Sequence, residues 1–131
     1  MNPLKRRRFD DELEWVLQRL PPQVHELFKE IPLHVEDYPS KEVLRITGVK
    51  YMDELCGLFT GIPIGDRGPY PSGTLPEVVT IYREGILKAS SDRQGRIATE
   101  HLRHQIRMTI LHELGHYHGM TESALRELGY E

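Results

Sequence analysis

The sequence of 131 residues predicts an α+β fold, because two short helical patterns come first, three short strand patterns follow and one long helical pattern comes last. With 38% apolar and 28% charged residues, its composition is that of a folded globular protein. We expect a disordered N-terminus over residues 1–9, where a basic run lies, and one domain over residues 10–131.

The first elements are predicted by apolar residues that repeat at intervals of three and four. This spacing predicts a helix over residues 10–20, which Pro21 ends because proline cannot continue a helix. A second short helix is predicted over residues 23–30. Residues 39–50 have no clear periodicity, so we predict no regular element there.

Three segments have strand patterns. Leu33–Glu36 alternates apolar and polar residues, which predicts a strand whose histidine and glutamate face solvent. Residues 55–62 are predicted to form a second strand, and Val78–Tyr82, rich in β-branched residues, a third. Glycine and proline are dense in residues 61–76, so we predict a long loop between these two strands.

The long helix is predicted over residues 97–118, with Gly119 at its end and a short helical stretch over 122–128. Its apolar residues stand at successive intervals of four, on one stripe, and are Leu102, Ile106, Ile110 and Leu114. We therefore expect this stripe to enter the core and the opposite side to meet solvent or a cleft.

The net charge of −3 offers no cationic field for a phosphate backbone, so we expect no nucleic-acid partner. No run approaches the roughly 18 apolar residues of a membrane span, so we expect no membrane partner. The basic N-terminal run leads into an acidic, amphipathic stretch instead of an export signal. The single Cys56 cannot form an internal disulfide, and we interpret it as a buried structural thiol of a cytoplasmic protein.

The long helix carries a His112-Glu113-x-x-His116 motif. Residues four apart lie on one face of a helix, so both imidazoles can reach one metal ion, and imidazole nitrogen suits zinc. Glu113 points about 100° away around the axis, so it is not a natural third ligand. Its position suits a general base that takes a proton from a metal-activated water.

Catalytic zinc needs a third protein ligand and an open position. Gly119 lets the chain leave the helix, and Glu122 follows three residues later, so we expect Glu122 to be the third ligand. His101 and His104 stand too far back along the helix, and His118 faces the other way. We expect none of these three histidines to join the site.

With these residues, the chain resembles small bacterial zincin-like metallopeptidases, which carry H-E-x-x-H-x-x-G-x-x-[DE] near the C-terminus. The segments LCGLFTGIPI and LPEVVTIYRE also look like that family. The resemblance implies a zincin-like α+β fold, in which a small mixed sheet packs on a long active-site helix after short N-terminal helices. It also implies one Zn²⁺ held by His112, His116 and Glu122, with Glu113 as the general base.

The leading hypothesis is therefore a zinc metallopeptidase that hydrolyses peptide bonds of a peptide or protein substrate with a zinc-activated water. We expect an extended peptide to pair with the edge of the strand Val78–Tyr82. The alternative is a non-catalytic zinc-binding protein that acts through partner binding, and a third hypothesis is an interaction domain whose motif is vestigial. The sequence indicates neither a peptide specificity nor an oligomeric state.

Overall fold

The computed structural model describes residues 1–61 and 77–117, without the side chain of Tyr117. The elements in chain order are α1 (Pro3–Gln18), α2 (Pro22–Leu27), β1 (Leu33–Glu36), α3 (Lys41–Thr47), β2 (Gly57–Thr60), β3 (Val78–Tyr82), α4 (Arg83–Ser90) and α5 (Thr99–Tyr117). Most of the predicted glycine- and proline-rich loop, and the predicted stretch over 122–128, fall outside the described residues. None of the described helices is both long and apolar enough to cross a membrane.

The three strands form a mixed sheet in the order β1-β3-β2. β1 runs parallel to β3, and β2 runs antiparallel to it. Because β3 is hydrogen-bonded on both sides, it has no edge on which a peptide could add a strand. The expectation that a peptide pairs with the edge of Val78–Tyr82 is therefore wrong. Strand order depends on contacts between distant segments, which the pattern within one strand does not contain.

The core lies between the sheet and the helices α1, α4 and α5. Val79 and Ile81 of β3 are completely buried. The predicted stripe of α5 is confirmed, since its members are at most 3% exposed: Leu102, Ile106, Ile110 and Leu114. Each such side chain contributes roughly 1.5–3 kcal/mol when it leaves water. This burial sets the rotation of α5 about its own axis.

α1 begins at Pro3, so the predicted disordered terminus over residues 1–9 is wrong. The Asn2 side chain accepts a hydrogen bond from the Leu4 N–H at 2.8 Å, which caps the helix, and proline is favoured at the first helical position. Phe9 is completely buried in the core. The basic run is part of this helix, and Lys5 pairs with Glu84 at 3.1 Å.

α3 forms where no regular element was predicted. The Ser40 hydroxyl accepts from the Val43 N–H at 3.1 Å at its start, and Gly48 takes a left-handed conformation, with φ of +74°, at its end. α3 buries none of its residues. It therefore lacks the buried apolar face by which α1 and α5 were predicted, and only its two caps mark it in the sequence.

α4 follows β3 directly and packs against the segment before β2. A side chain at Gly85 would collide with the carbonyl group of Leu55. Glycine at this position therefore allows the chain before β2 to cross α4 closely. The crossing fixes the entry of β2 into the sheet, next to α5.

An ion-pair network centred on Arg83 joins three separate elements. Arg83 Nε and Nη1 lie 2.9 Å from Asp10 Oδ1 in α1 and 3.0 Å from Asp37 Oδ1 after β1. Arg6 Nη2 contacts the other oxygen of Asp37 at 2.6 Å. The hydrogen bond from Arg6 chiefly lowers the pKa of Asp37; burial opposes this effect, and Arg83 adds to it. The network ties α1, the end of β1 and the start of α4 together.

Replacing Arg83 by Met keeps the length of the side chain but leaves Asp10 and Asp37 with fewer partners. We expect the free energy of unfolding, measured by urea titration, to fall by about 1–3 kcal/mol. Arg45→Ala is the matched control, because it removes an arginine from an exposed pair with Glu42. Its effect should be below about 1 kcal/mol. Equal losses in both variants would contradict the role assigned to Arg83.

Asp37→Asn tests the lowered pKa of Asp37. Because the folded state lowers this pKa below the unfolded value near 3.9, the ionised carboxylate stabilises the fold above that value. This contribution is lost as the pH falls through the folded pKa. The difference in free energy of unfolding between the original protein and Asp37→Asn should therefore be largest above about pH 5 and shrink below about pH 4. Urea titrations at matched pH measure it, and a difference that does not change with pH would refute the argument.

Candidate metal site

His112 and His116 project from successive turns of α5 into one cleft. Their Nε2 atoms lie 3.1 Å apart. The rings meet edge to face, with centroids 4.7 Å apart and planes at 77°. Both residues are half-buried, so the pair is fixed by the helix and still reachable from solvent.

The spacing of these nitrogens fits a single zinc ion. Two nitrogen ligands of tetrahedral zinc, each roughly 2.0–2.1 Å from the metal, are about 3.3–3.4 Å apart. The observed 3.1 Å is close to this separation, and a small rotation of either ring covers the difference. The spacing in the sequence predicted that the two imidazoles share one face of the helix, and the structure brings them together in this way.

Glu113 lies beside the histidine pair with a buried side chain. The nearest ligand atoms of His112, Glu113 and His116 all lie within 4.8 Å of one another. Glu113 Oε1 accepts a hydrogen bond from the Phe59 backbone N–H in β2, at 3.2 Å. The strand thus holds the carboxylate from the side opposite the helix backbone.

Gly57 allows β2 to approach α5 closely enough for that hydrogen bond. A Cβ atom at this position would stand 2.7 Å from Thr109 Cγ2 and 3.2 Å from Glu113 Cγ, closer than side chains normally pack. Gly57 and Phe59 were not among the site residues predicted from the sequence. A glycine inside a predicted strand is a signal of close backbone approach, and that signal could have found Gly57.

The cleft beside the histidine pair has a volume of about 360 Å³. It is lined by Glu54, Leu55, Cys56, Gly57, Gln105, Met108, Thr109, His112, Glu113 and His116. Its walls therefore come from the middle and C-terminal turns of α5 and from the segment that leads into β2. A cavity of this size accommodates part of an extended peptide next to the metal ligands.

Two further ionisable groups stand near Glu113. Burial raises the pKa of the Cys56 thiol, and the negative charge of Glu113 raises it further, so the thiol is neutral at physiological pH. Cys56 was predicted to be buried and is half-buried, in the wall of the cleft. Tyr82 is only 2% exposed, and burial, with smaller contributions from Glu36 and Glu113, raises its pKa to about 12.

The remaining candidate ligands divide into two groups. His101 and His104 are exposed on α5, away from the histidine pair, as their spacing in the sequence predicted. His118 and Glu122 lie beyond the last described residue. The prediction that Glu122 is the third ligand therefore stays a prediction.

The comparison with protein families gives one finding that covers most of the chain. The model of the family described as zincin-like metallopeptidase matches residues 28–130, which include all of the sheet and α5. No curated protein sequence matches the chain. The family implies zinc binding at the His112, Glu113 and His116 group and a peptidase-type function. The three-stranded mixed sheet packed on α5 agrees with a zincin-like α+β fold, and the chain belongs to the zincin-like metallopeptidase family.

Proposed function

We propose that this protein is a zinc metallopeptidase that hydrolyses peptide bonds. His112, His116 and Glu122 hold one Zn²⁺, and Glu113 is the general base. The observation that carries the proposal is the convergence of two imidazole nitrogens, 3.1 Å apart, beside a buried carboxylate that a backbone N–H orients. A purely structural helix has no need for these three side chains at one point.

The residues divide the chemistry between them. Bound zinc supplies a Lewis acid that lowers the pKa of water and polarises the carbonyl of the scissile bond. Glu113 accepts a proton from the attacking water and returns it to the amine that leaves. The Phe59 N–H holds the carboxylate in one orientation, so that little reorganisation is needed when the proton moves.

The outer edge of β2 is the best place for the substrate backbone. The Tyr82 N–H donates to the Cys56 carbonyl at 2.8 Å, and Gly57 stands opposite Ile81. In an antiparallel ladder, bonded pairs alternate with non-bonded ones, so the N–H and carbonyl of Gly57 point away from β3. No strand in the described part of the chain pairs with this edge. An extended peptide that hydrogen-bonds to Gly57 there would pass the histidine pair.

The alternative of a non-catalytic zinc protein would need the metal to be closed off from substrate by a fourth protein ligand. The cleft of about 360 Å³ that reaches both histidines favours an accessible metal instead. Glu113 would also act as the general base in a peptidase, whereas a structural zinc site has no use for a base beside the metal. We therefore prefer the enzyme.

Glu113→Gln should separate catalysis from metal binding. Glutamine keeps the size and helix propensity of glutamate but cannot act as a base, so the variant should fold, bind one zinc and cleave at least about a hundredfold more slowly. Cleavage is measured by mass spectrometry on a broad peptide library, with added zinc, and with a chelator as the control. Equal rates at equal zinc content would rule out the assigned base. No zinc-dependent cleavage by the original protein would favour the non-catalytic alternative.

Glu122→Ala should weaken zinc binding, because it removes the proposed third ligand. We expect the dissociation constant, measured by competition with a chromogenic chelator, to rise at least about tenfold. His112→Ala and His116→Ala serve as reference variants, because they show how far the dissociation constant rises when one of the two histidine ligands is removed. Glu127→Ala is the matched control in the same segment and should bind zinc normally. Zinc affinity of Glu122→Ala within about twofold of the original protein would place the third ligand elsewhere.

A further inference from the structure

A second groove lies between α1 and α5, apart from the metal site. It has a volume of about 190 Å³, roughly the size of one large side chain. It is lined by Trp15, Val16, Arg19, Arg103, His104 and Arg107. Its floor is therefore apolar, and its rim carries three guanidinium groups.

Trp15 organises two of these guanidinium groups. The Cζ atoms of Arg19 and Arg103 lie 3.9 Å and 3.8 Å from the centroid of its ring, so they are less than about 8 Å from each other. Stacking on an indole ring compensates part of the repulsion between like charges. The arrangement holds both groups in place before any ligand arrives, which reduces the entropy lost on binding.

The positive charge of the groove is only partly balanced within the protein. Arg103 pairs with Glu12 at 2.8 Å, and the Arg19 guanidinium donates to the Trp15 carbonyl at 3.0 Å. No carboxylate among the described residues pairs with Arg19 or Arg107. The groove is thus a positive site on a chain whose net charge is −3.

The groove faces away from the metal site. Arg103 stands nine residues before His112, which at about 100° per residue places it on the opposite side of α5. Arg107 stands five residues before His112 and is rotated by about 140°. A ligand in this groove therefore leaves the cleft with the histidine pair accessible, and both could be filled at once.

We propose that this groove binds an acidic peptide segment, with glutamate or aspartate side chains against the three guanidinium groups. Guanidinium forks bind carboxylates through paired hydrogen bonds, and Trp with Arg is the composition typical of residues that dominate binding energy. The small apolar floor, with Trp15 and Val16, accepts the stem of one side chain. An extended nucleic acid would need a larger positive surface than this acidic chain provides.

The single tryptophan of the chain makes the groove directly observable, because all indole fluorescence comes from Trp15. The probe is a capped hexaglutamate peptide, and the control is a capped hexaglutamine peptide of equal length. We expect a saturable change in Trp15 fluorescence with hexaglutamate alone, and weaker binding as salt rises from about 50 to 300 mM, because salt screens the charges. No saturable change, or the same change with hexaglutamine, would overturn the proposal.

Arg107→Gln removes a guanidinium that makes no ion pair with the described residues, so the fold should be retained, as judged by circular dichroism and thermal unfolding. Hexaglutamate should bind this variant at least about fivefold more weakly. Arg93→Gln is the matched control, because it removes an exposed arginine of the turn before α5 and should bind normally. Binding of Arg107→Gln within about twofold of the original protein would refute the assignment.

Two further measurements separate this site from other ligands and from the metal site. Inorganic phosphate and a deoxythymidine decanucleotide should compete poorly with hexaglutamate. If either bound more tightly than hexaglutamate, the proposal that the ligand is an acidic peptide would be overturned. Glu113→Gln should bind hexaglutamate as the original protein does, because the groove lies on the other side of α5. The result therefore does not depend on whether the protein is a peptidase.

Discussion

The contact between β2 and α5 at Gly57 is the constraint on which the candidate site depends. Since Gly57 has no side chain, the strand backbone can lie against Thr109 and Glu113, and the Phe59 N–H reaches the Glu113 carboxylate at 3.2 Å. This one approach orients the proposed base, forms one wall of the cleft and leaves the outer edge of β2 beside the histidine pair. A larger residue at position 57 would push β2 away from α5. The hydrogen bond to Glu113, the wall of the cleft and the position of the β2 edge beside the histidine pair would then all be lost.

One face of α5 is buried in the core and another carries the histidine pair. Burial of the first face determines where the second face points. Ile106 and Ile110 are completely buried, so the helix cannot rotate without exposing them to water. With its rotation fixed, His112 and His116 point into the cleft, and Arg107 points toward the groove beside α1. A single amphipathic helix thus supports a metal site and a separate cationic groove.

The parts of the fold and site that could be predicted from sequence are those encoded by local periodicity. Intervals of four predicted the buried stripe of α5, and alternation predicted β1 with His34 exposed. The spacing of His112 and His116 likewise predicted that both imidazoles meet, because both lie on one helix whose geometry is known. α3 was not predicted, because none of its residues is buried. The predicted start of α1, at residue 10, lies too late in the chain, because the first turns of the helix are rich in charged residues.

Only the tertiary structure decided which segments lie beside one another. It placed β3 between β1 and β2, and it brought the Phe59 N–H to a carboxylate 54 residues later in the chain. It also stacked Arg103 of α5 on Trp15 of α1. By itself, the sequence determined the types of α1, α2, α5 and the three strands, the histidine pair and the adjacent carboxylate, because these follow from spacing along one helix or strand. The pairing of distant segments depends on how the whole core packs, and no local pattern contains that information.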